Sequence, residues 1–447
     1  MKNVFFLGIG GIGMSALARY YRFIGYDVWG YDRTRSELCV KLEETDGCHI
    51  VYEESDEYIE MLEKRDFDMA VVTPAVPKDN LYYKYFEGKN ITLKKRAQVL
   101  GDITREKRGV CVAGTHGKTT TSTMVAHLLK QSHVDCSAFL GGISKNFGSN
   151  LVLAENGTDI VAIEADEFDR SFYHLTPWIA VVTSTDADHL DIYGTHEAYL
   201  DAFAHFTSLI VEGGVLLSKE GIKLESRVKE SVRHYTYSVG GNADYRAENV
   251  RVGNGKILFD FVYPEGKIRD IDLGVPVMVN VENAAAAMAV GMICGMTADE
   301  LKVGMESFKG VERRFEVKYN DGVKVHIDDY AHHPDELSRS IESVNMLYEG
   351  KKIVVAFQPH LFTRTRDFYK EFAKVLSMSE QVVVLDIYPA RETPIDGVTS
   401  KIIYDELTSR VKRLSTLKGL QMTLDEMEWD VLLTVGAGDI GLFKIDR

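Results

Sequence analysis

The chain has 447 residues, of which 45% are hydrophobic and 27% are charged. This length predicts two or three domains, and the composition excludes a disordered or fibrous protein. The formal charge is −15, from 52 basic and 67 acidic residues. A general nucleic-acid-binding protein is therefore not expected, because no broad basic surface would release phosphate counterions. Any anion that the protein binds must be held by a local site.

Cysteine usage and hydropathy indicate the compartment. The five cysteines form no C-x-x-C pair, which favours reduced thiols over a disulfide framework or a thiolate metal site. No leader precedes the first strand-like run, and the longest apolar stretch, AAAAMAVGMICGM, is too short to cross a bilayer. We therefore expect a cytoplasmic protein without membrane insertion.

Strand-like and helix-like segments alternate in three blocks. The first begins with VFFL and ends at the polar stretch TREKRG, the second runs from GVCVAG to NVENAAAAMAVGMICG, and the third follows GVERRFEV. These blocks predict three domains, at residues 1–105, 106–311 and 312–447. Repeated alternation predicts an α/β fold with mainly parallel sheets, whose ligands bind beyond the carboxyl ends of the strands.

Two glycine-rich turns match the spacing of dinucleotide-binding loops. GIGGIG occupies residues 8–13, between a strand and a helix, and Asp32 ends the next strand. GAGDIG occupies residues 436–441, after another strand. Because the pattern occurs twice, it indicates a glycine-rich turn more reliably than a nicotinamide site. The first turn could hold any diphosphate ligand at a helix N-terminus, or it could be a tight turn with nothing bound.

Residues 111–119 read CVAGTHGKT and predict a phosphate-binding loop, although Val112 stands where the usual consensus has its first glycine. The two later glycines allow close backbone approach, Lys118 offers a positive charge for the β- and γ-phosphates, and Thr119 offers a hydroxyl for Mg²⁺. The loop follows an apolar strand and precedes a helix-like segment. This position favours ATP binding over an accidental match.

Acidic side chains follow two strand-like segments of the same block. IVAIEADEFD ends its apolar run in Glu164, and VVTSTDADHLD carries His189 beyond the next run. Carboxylate oxygens suit Mg²⁺, and one imidazole can complete the site of a second ion. We therefore expect Glu164 and His189 near the nucleotide phosphates; the alternative is that each cluster is a solvated acidic loop.

Motifs along nearly the whole chain resemble the successive signatures of the Mur ligases. They are AGTHGKTTT, IEADEFD, TDADHLDIYG, NVENAAAA, RRFE, DDYAHHP, QPHLFTRT and YPARETPIDG. GTHGKTT is this family's own form of the phosphate loop, which accounts for Val112. The resemblance implies a Rossmann-like N-terminal domain that binds a UDP-sugar, a central P-loop ATPase domain, and a Rossmann-like C-terminal domain that helps to bind ATP and the amino acid. The first glycine turn then becomes a diphosphate cradle.

The segments GIGGIGMS, DDYAHHP, QPH and TRT resemble the members that add L-alanine to UDP-N-acetylmuramate in peptidoglycan precursor synthesis. The resemblance implies an amide-bond ligase that uses ATP and Mg²⁺. The γ-phosphoryl group would convert the substrate carboxylate into an acyl phosphate, which the amine then attacks, and ADP and phosphate would be released. It implies no obligate protein partner.

Motif match assigns the site residues. The implied catalytic residues are Lys118, His189, His332, His360 and Arg364. The implied nucleotide-binding residues are Gly114, Thr115, His116, Gly117, Lys118, Thr119, Thr120, Asn283, Arg314 and Asp329. The implied substrate-binding residues are Gly10, Gly11, Ile12, Gly13, Ser15, Asp32 and Thr73. The implied metal ligands are Thr119, Glu164 and His189.

Three departures from the family pattern limit this assignment. Val279 stands where a histidine usually stacks on the adenine ring, so an apolar contact must replace it. Leu361 replaces an arginine expected near the substrate. No lysine occurs between Leu190 and Leu209, so we predict no carbamylated lysine there.

Other functions remain open at this stage. The nearest is the recycling ligase that attaches a whole tripeptide to UDP-N-acetylmuramate, since IEADEFD and DDYAHHP resemble its signatures too. A folylpolyglutamate or cyanophycin synthetase fits less well, because a UDP-sugar substrate explains the N-terminal block. From a different class, an NAD-dependent oxidoreductase would use the glycine turns, and a regulatory P-loop protein would bind ATP without forming a bond.

Overall fold

The computed structural model describes residues 2–73, 75–89, 91–187, 190–253, 255–390 and 392–445. They form two compact units. The first consists of Met1–Arg246 and Ala285–Gly304, and the second of Ala247–Ala284 and Met305–Arg447. Mainly parallel sheets with intervening helices confirm the predicted α/β class.

The first unit begins with a parallel sheet in the order β3-β2-β1-β4-β5. Its strands are β1 (Asn3–Leu7), β2 (Asp27–Tyr31), β3 (His49–Val51), β4 (Met69–Val72) and β5 (Leu93–Lys95). Its helices are α1 (Ile12–Phe23), α2 (Glu37–Glu44), α3 (Asp56–Leu62), α4 (Leu81–Gly88) and α5 (Arg96–Glu106). The strand order reverses between β1 and β4, and such a switch point is where open α/β sheets bind ligands. The first glycine turn follows β1 at this point.

A second sheet includes, within the first unit, strands in the order β12-β11-β10-β6-β9-β7-β8. Its strands are β6 (Arg108–Ala113), β7 (Ser137–Ser144), β8 (Ser149–Val152), β9 (Ile160–Glu164), β10 (Pro177–Val182), β11 (Val215–Lys219) and β12 (Arg233–Val239). Its helices are α6 (Lys118–Lys130), α7 (Leu190–Tyr193) and α8 (His196–Ser208), with a 3₁₀ segment at Phe168–His174. The neighbouring strands from β12 to β7 are parallel, while β8 pairs antiparallel with β7. The carboxyl ends of β6, β9 and β10 therefore meet at one edge.

The two sheets of the first unit share one hydrophobic core. Tyr20 of α1 packs edge-on against Phe139 of β7, with ring centroids 5.2 Å apart. Polar contacts join the same surfaces, since Asn150 Nδ2 of β8 donates a 2.8 Å hydrogen bond to the Ile12 carbonyl of α1. The first predicted domain and most of the second thus belong to one compact unit, whereas residues 247–284 and 305–311 of the second belong to the other unit. The boundary proposed at residues 105 and 106 stays a prediction.

The second unit contains most of a β-meander and a further sheet. The meander consists of β13 (Tyr245–Gly253), β14 (Lys256–Tyr263) and β15 (Gly266–Asp272), and β14 pairs antiparallel with β15. Two helices, α9 (Met278–Ile293) and α10 (Ala298–Glu306), are divided between the two units. The alanine-rich segment predicted as a helix forms α9.

The further sheet has the order β16-β17-β21-β18-β19-β20. Its strands are β16 (Glu316–Asn320), β17 (Val325–Asp329), β18 (Ile353–Phe357), β19 (Gln381–Leu385), β20 (Val411–Ser415) and β21 (Val431–Val435). Its helices are α11 (Pro334–Leu347), α12 (Phe362–Leu376), α13 (Lys401–Glu406) and α14 (Leu420–Asp425), with a 3₁₀ segment at Asp439–Leu442. Except for the antiparallel edge strand β16, the strands are parallel.

Two predictions from the sequence concern the state of the cysteine thiols and the presence of membrane-spanning helices. All five cysteines are free thiols in the structure, and four of them are buried. Within the part of the chain that the structure describes, no helix combines the length and apolar character needed to span a bilayer.

Candidate active site

The phosphate loop connects β6 to α6 through two glycines with positive φ angles. Gly114 has φ +139° and Gly117 has φ +83°, conformations that other residues rarely adopt. A Cβ atom at Gly114 would lie 2.1 Å from Thr183 Oγ1, so β10 closes the space around the loop. Val112, by contrast, is a fully buried residue of β6. Its side chain packs in the core. Position 112 therefore belongs to the strand and not to the loop, and the loop itself has its glycines at 114 and 117.

The end of β10 holds the phosphate loop in shape. The backbone N–H of His116 donates to Ser184 Oγ at 2.8 Å, and the N–H of Thr115 donates to the Ser184 carbonyl at 3.2 Å. The Thr115 hydroxyl also contacts the Tyr199 hydroxyl at 2.9 Å. These two N–H groups are used to fix the loop, so its shape needs little reorganisation when an anion binds.

Lys118, the first residue of α6, is surrounded by acceptors. Its Nζ donates to the Gly114 carbonyl at 2.6 Å, to the Thr115 carbonyl at 3.2 Å and to Glu167 Oε1 at 2.8 Å. An ammonium has three donors, so these contacts use them all. The Glu167 side chain is only 1% exposed. Burial raises the pKa of this carboxyl, while the Lys118 ammonium opposes the rise.

Sequence reasoning missed Glu167 as a functional residue. It lies within IEADEFD, so its motif was recognised, but nothing local distinguishes it from the neighbouring acids. Its burial and its pairing with Lys118, 49 residues away, depend on the packing of β9 beside β6. One sequence feature could have identified Glu167, namely its position in a segment that immediately follows a buried strand.

Glu164 ends β9 and lies in register with Val112 of β6. A Cβ atom at Gly141 of β7 would lie 2.1 Å from Glu164 Oε2, so this glycine leaves room for the carboxylate. Thr119 is a half-buried residue in the first turn of α6. These hydroxyl and carboxylate oxygens fit a Mg²⁺ ion, which usually takes only one or two protein ligands beside phosphates and water.

A complete protein metal cage is not found. Among the described residues, no group of three or more His, Cys, Asp or Glu side chains is arranged to hold a metal ion. His189, which sequence analysis predicts as a catalytic residue and metal ligand, lies outside the described residues. Thr120, predicted to bind nucleotide, is half-buried and adjoins Thr119 in α6.

The first glycine turn is braced by the acid at the end of β2. Gly8 has φ +84°, and its N–H donates to the Tyr31 carbonyl at 2.7 Å. The N–H of Gly10 donates to Asp32 Oδ2 at 2.9 Å. A Cβ atom at Gly8 would lie 2.3 Å from Thr73 Cγ2. Asp32 therefore shapes the turn, and Thr73 lies directly beside it.

Helix α1 follows this turn with Gly11 at its N-cap. Ile12 is 48% exposed at the first position of the helix, followed by Gly13. Ser15 is buried, and its hydroxyl donates to the Ile12 carbonyl at 3.0 Å. An exposed first turn on a 12-residue helix is the arrangement that favours an anionic group.

The last glycine turn, residues 436–441, differs although its spacing is the same. It leads into a short 3₁₀ segment instead of an α-helix. A Cβ atom at Gly438 would lie 2.3 Å from Gln358 Oε1, and one at Gly441 would lie 2.1 Å from Arg313 Nε. Gln358 Nε2 also donates to Asp439 Oδ1 at 2.6 Å. A four-residue 3₁₀ segment lacks the aligned N-terminal donors of an α-helix, so this turn lacks the feature that favours an anion at the first one.

A cluster of titratable groups lies at the carboxyl edge of the sheet in the second unit. Asp329 ends β17, is 9% exposed and accepts a hydrogen bond from the Ser340 hydroxyl. Burial raises the pKa of Asp329 to about 6, against the lowering effects of Ser340 and Arg314. The guanidinium of Arg314 lies 5.4 Å from the centre of the Tyr330 ring.

Two histidines complete this cluster. The rings of His332 and His360 have centroids 6.1 Å apart. Burial lowers the pKa of His332, and it lowers that of His360 to about 4 together with the charges of His332 and Arg364. Arg364 lies in the first turn of α12. The structure thus brings together five residues that the sequence predicted for the acyl-phosphate and nucleotide side: Arg314, Asp329, His332, His360 and Arg364.

The remaining predicted positions lie elsewhere in the second unit. Asn283 of α9 is buried, and its Nδ2 donates to Asn280 Oδ1 at 3.1 Å. Val279 is half-buried on the same helix. Leu361 caps α12 with φ +72°, and its N–H donates to the Tyr388 carbonyl at 3.0 Å. Residue 361 therefore has an unusual backbone conformation, and its leucine side chain departs from the family pattern.

Family models match the chain in three consecutive stretches. Residues 3–108 match "Mur ligase family, catalytic domain", residues 112–291 match "Mur ligase middle domain", and residues 313–438 match "Mur ligase, glutamate ligase domain". A relative from Phocaeicola vulgatus, named UDP-N-acetylmuramate–L-alanine ligase, is 53% identical over 442 residues, which cover 98% of this chain and 96% of the relative.

Solved structures agree with these matches. The UDP-N-acetylmuramate-alanine ligase of Thermotoga maritima has a TM-score of 0.78 at 30% identity, covering 98% of this chain and 96% of that one. A murein peptide ligase from Psychrobacter arcticus shares the fold with a TM-score of 0.65 at 19% identity, covering 99% and 97% of the two chains. With the phosphate loop, the Glu164 strand end and matches along nearly its whole length, this chain belongs to the Mur ligase family.

Proposed function

We propose that the chain is an ATP-dependent ligase that joins L-alanine to the carboxylate of UDP-N-acetylmuramate in peptidoglycan precursor synthesis. The observation that carries this proposal is the pre-shaped phosphate loop beside Glu164, in a chain 53% identical to a relative named for that reaction. Because the reaction consumes ATP and a nucleotide sugar, we expect it to take place in the cytoplasm.

The reaction needs activation of a carboxylate, since carboxylates do not condense with amines in water. A carboxylate oxygen attacks the γ-phosphorus of ATP, ADP leaves, and the resulting acyl phosphate is attacked at carbon by the amine. Phosphate then leaves and the amine nitrogen loses a proton. Lys118 would neutralise charge on the transferring phosphoryl group, together with the backbone donors of the phosphate loop that are not bonded to Ser184.

The remaining roles follow from the residues present. Glu164 and Thr119 would hold Mg²⁺, which would supply positive charge to the nucleotide phosphates. The first turn of α1, from Gly10 to Gly13, would hold the diphosphate of the UDP-sugar. His360 and Arg364 would act at the acyl-phosphate end, where a histidine with a low pKa remains neutral and can accept a proton.

A second candidate is ligation of a tripeptide instead of L-alanine, favoured by the fold shared with a murein peptide ligase. The two reactions differ in the amine alone. A pocket for L-alanine excludes larger amines by shape, and one methylene typically changes discrimination by about 1–3 kcal/mol. We therefore expect graded acceptance, with L-alanine best and glycine and L-serine weaker.

The experiment compares kcat/KM for phosphate release with L-alanine, glycine, L-serine and L-alanyl-γ-D-glutamyl-diamino acid, at fixed ATP and UDP-N-acetylmuramate. A preference for L-alanine supports the proposal, whereas a clear preference for the tripeptide replaces it with the second candidate. Phosphate release that needs no amine would contradict both, and NADH binding without such turnover would support an oxidoreductase.

A further inference from the structure

Arg96 lies against the first turn of α1, although it belongs to a different helix. It is the first residue of α5. A Cβ atom at Gly13 would lie 2.5 Å from Arg96 Nε and 2.9 Å from its Cζ, so the guanidinium occupies the space that this glycine leaves open. The φ angle of Gly13 is not positive, so the backbone conformation does not require glycine here. The space taken by the Arg96 guanidinium is therefore the reason for a glycine at this position.

Arg96 is half-buried, and two carboxylates lie near enough to act on its charge. Arg96 Nε is inaccessible to solvent and donates no hydrogen bond within the described residues. Burial lowers the pKa of Arg96, while the carboxylates of Asp166 and Glu164 oppose this. Arg96 therefore faces the first turn of α1 on one side and the acids that follow β9 on the other.

Helix α5 is held firmly in this position. A Cβ atom at Gly101 would lie 2.3 Å from the His174 carbonyl oxygen, so α5 packs directly on the 3₁₀ segment Phe168–His174. Lys95 Nζ also lies 3.8 Å from Asp169 Oδ2 of that segment. With backbone against backbone at Gly101, the start of α5 has little freedom to carry Arg96 away.

We propose that Arg96 is a substrate-binding residue that donates to the diphosphate of UDP-N-acetylmuramate at the first turn of α1. This proposal rests on the proposed function. A planar guanidinium suits phosphate oxygens, and a buried donor without an acceptor is costly. The start of α1 adds the positive end of its helix dipole at the same place. An anion there satisfies both elements.

The alternative is that Arg96 only neutralises Asp166 and Glu164. The two roles differ in what they predict for ligands. A diphosphate donor affects every ligand that carries the uridine diphosphate and leaves adenine nucleotides unaffected. If Arg96 is purely structural, its substitution should affect folding. If the substitution disturbs Glu164, the binding of ADP with Mg²⁺ should weaken instead.

The test is calorimetric binding of UDP-N-acetylmuramate, UDP and ADP with Mg²⁺ to the wild-type protein and to Arg96→Met. We expect the variant to bind both uridine ligands about 10–100-fold more weakly, the loss of one charged hydrogen bond, and to bind ADP unchanged. Lys95→Met is the matched control, because this exposed neighbour also loses a positive charge on the Asp169 side. It should bind all three ligands as the wild type does.

Two further variants guard against a folding defect. Arg96→Lys keeps a charge but loses the planar fork, and should lose part of the uridine-ligand affinity. Gly13→Ala leaves the charge intact but displaces the guanidinium, and should weaken the same two ligands. Unchanged UDP affinity in Arg96→Met, or loss of UDP-N-acetylmuramate affinity alone, would overturn the diphosphate assignment, as would equal weakening of ADP.

The same data separate this proposal from the proposed function. Suppose that the wild-type protein releases phosphate only with UDP-N-acetylmuramate and L-alanine, and that Arg96→Met binds the uridine ligands as the wild type does. These two results together would contradict the arginine proposal alone. Wild-type protein that binds neither uridine ligand contradicts both.

Discussion

The phosphate loop of the first unit and the histidine cluster of the second unit hold their buried titratable groups differently, although burial raises the pKa of Glu167 in the first as it does that of Asp329 in the second. At the phosphate loop, opposite charges compensate each other, with Lys118 Nζ 2.8 Å from Glu167 Oε1. In the cluster, burial shifts the groups towards their neutral forms. It raises the pKa of Asp329 to about 6 and lowers that of His360 to about 4.

This difference matters for ligands and for pH. A compensated pair keeps a full positive charge ready for an anion, which can replace one of its acceptors. Groups held near neutrality can instead accept or donate protons, and the charge of Asp329 changes near pH 6. The first region should therefore respond to removal of a charge, and the second to pH.

The largest expected effect tests the first region through Lys118→Ala. Its ammonium should interact more strongly as charge develops on the transferring phosphoryl group, so the loss should fall mainly on kcat. We expect a decrease of about 10²–10³-fold or more, the size typical of a lost preorganised donor. Steady-state kinetics at saturating ATP measure it, with thermal unfolding to check the fold. Near wild-type turnover would show that the phosphate loop is wrongly assigned.

Glu167→Gln tests whether the buried ion pair between Lys118 and Glu167 stabilises the protein. Removing one partner of a buried pair leaves the other charge unpaired, so the free energy of unfolding should fall by about 3–5 kcal/mol. ADP with Mg²⁺ should raise the melting temperature of the variant more than that of the wild type, because phosphate supplies the missing negative charge.

Glu155→Gln is the control for this variant. Glu155 also pairs with a lysine, with Oε1 3.1 Å from Lys130 Nζ, but its side chain is 85% exposed. Solvent screens such a pair, so the substitution should have little effect on unfolding. Equal destabilisation by the two substitutions would contradict the role given to burial.

Asp329→Asn tests the second region through pH. The folded pKa of Asp329, about 6, lies above its ordinary value of 3.8, so the folded state binds more protons between these values. Raising the pH through that window must therefore destabilise the folded state, by about 3 kcal/mol for a shift of this size. The variant lacks this titration, and its stability relative to the wild type should rise from pH 4 to pH 6 and then level off.

Urea unfolding at a series of pH values measures the Asp329 effect. The groups that act on Asp329 are Ser340, Arg314, Glu336 and Asp328. Asp335→Asn is the control, because its side chain in the same cluster is 73% exposed. A stability difference that stays constant from pH 4 to pH 8 would show that Asp329 is not shifted.

The smallest expected effect returns to the first region through Glu164→Gln. An amide oxygen is a weaker ligand for Mg²⁺ than a carboxylate oxygen, so the Mg²⁺ concentration for half-maximal activity should rise, by about tenfold if one charged contact is lost. Titration of Mg²⁺ at fixed ATP measures this. Unchanged half-saturation would make Glu164 a structural carboxylate.

The sequence by itself determined where the phosphate loop and its neighbouring acid lie. A strand, two glycines and a helix follow one another within residues 108–130, and Glu164 ends a strand of its own. These features are local, or follow from the rule that parallel strands bring their carboxyl ends to one edge. Family motifs likewise located Asp329, His332 and His360 without any knowledge of their surroundings.

Only the tertiary structure decided which side chains meet there. The two glycine turns have the same spacing, yet the first leads into helix α1 and the last into a short 3₁₀ segment, and the arginine beside each comes from a distant part of the chain. Glu167 became the partner of Lys118 through the packing of strands far apart in sequence. Burial, which shifts a pKa and leaves a donor without an acceptor, is a property of the packed molecule, because it depends on every element that excludes water from the group.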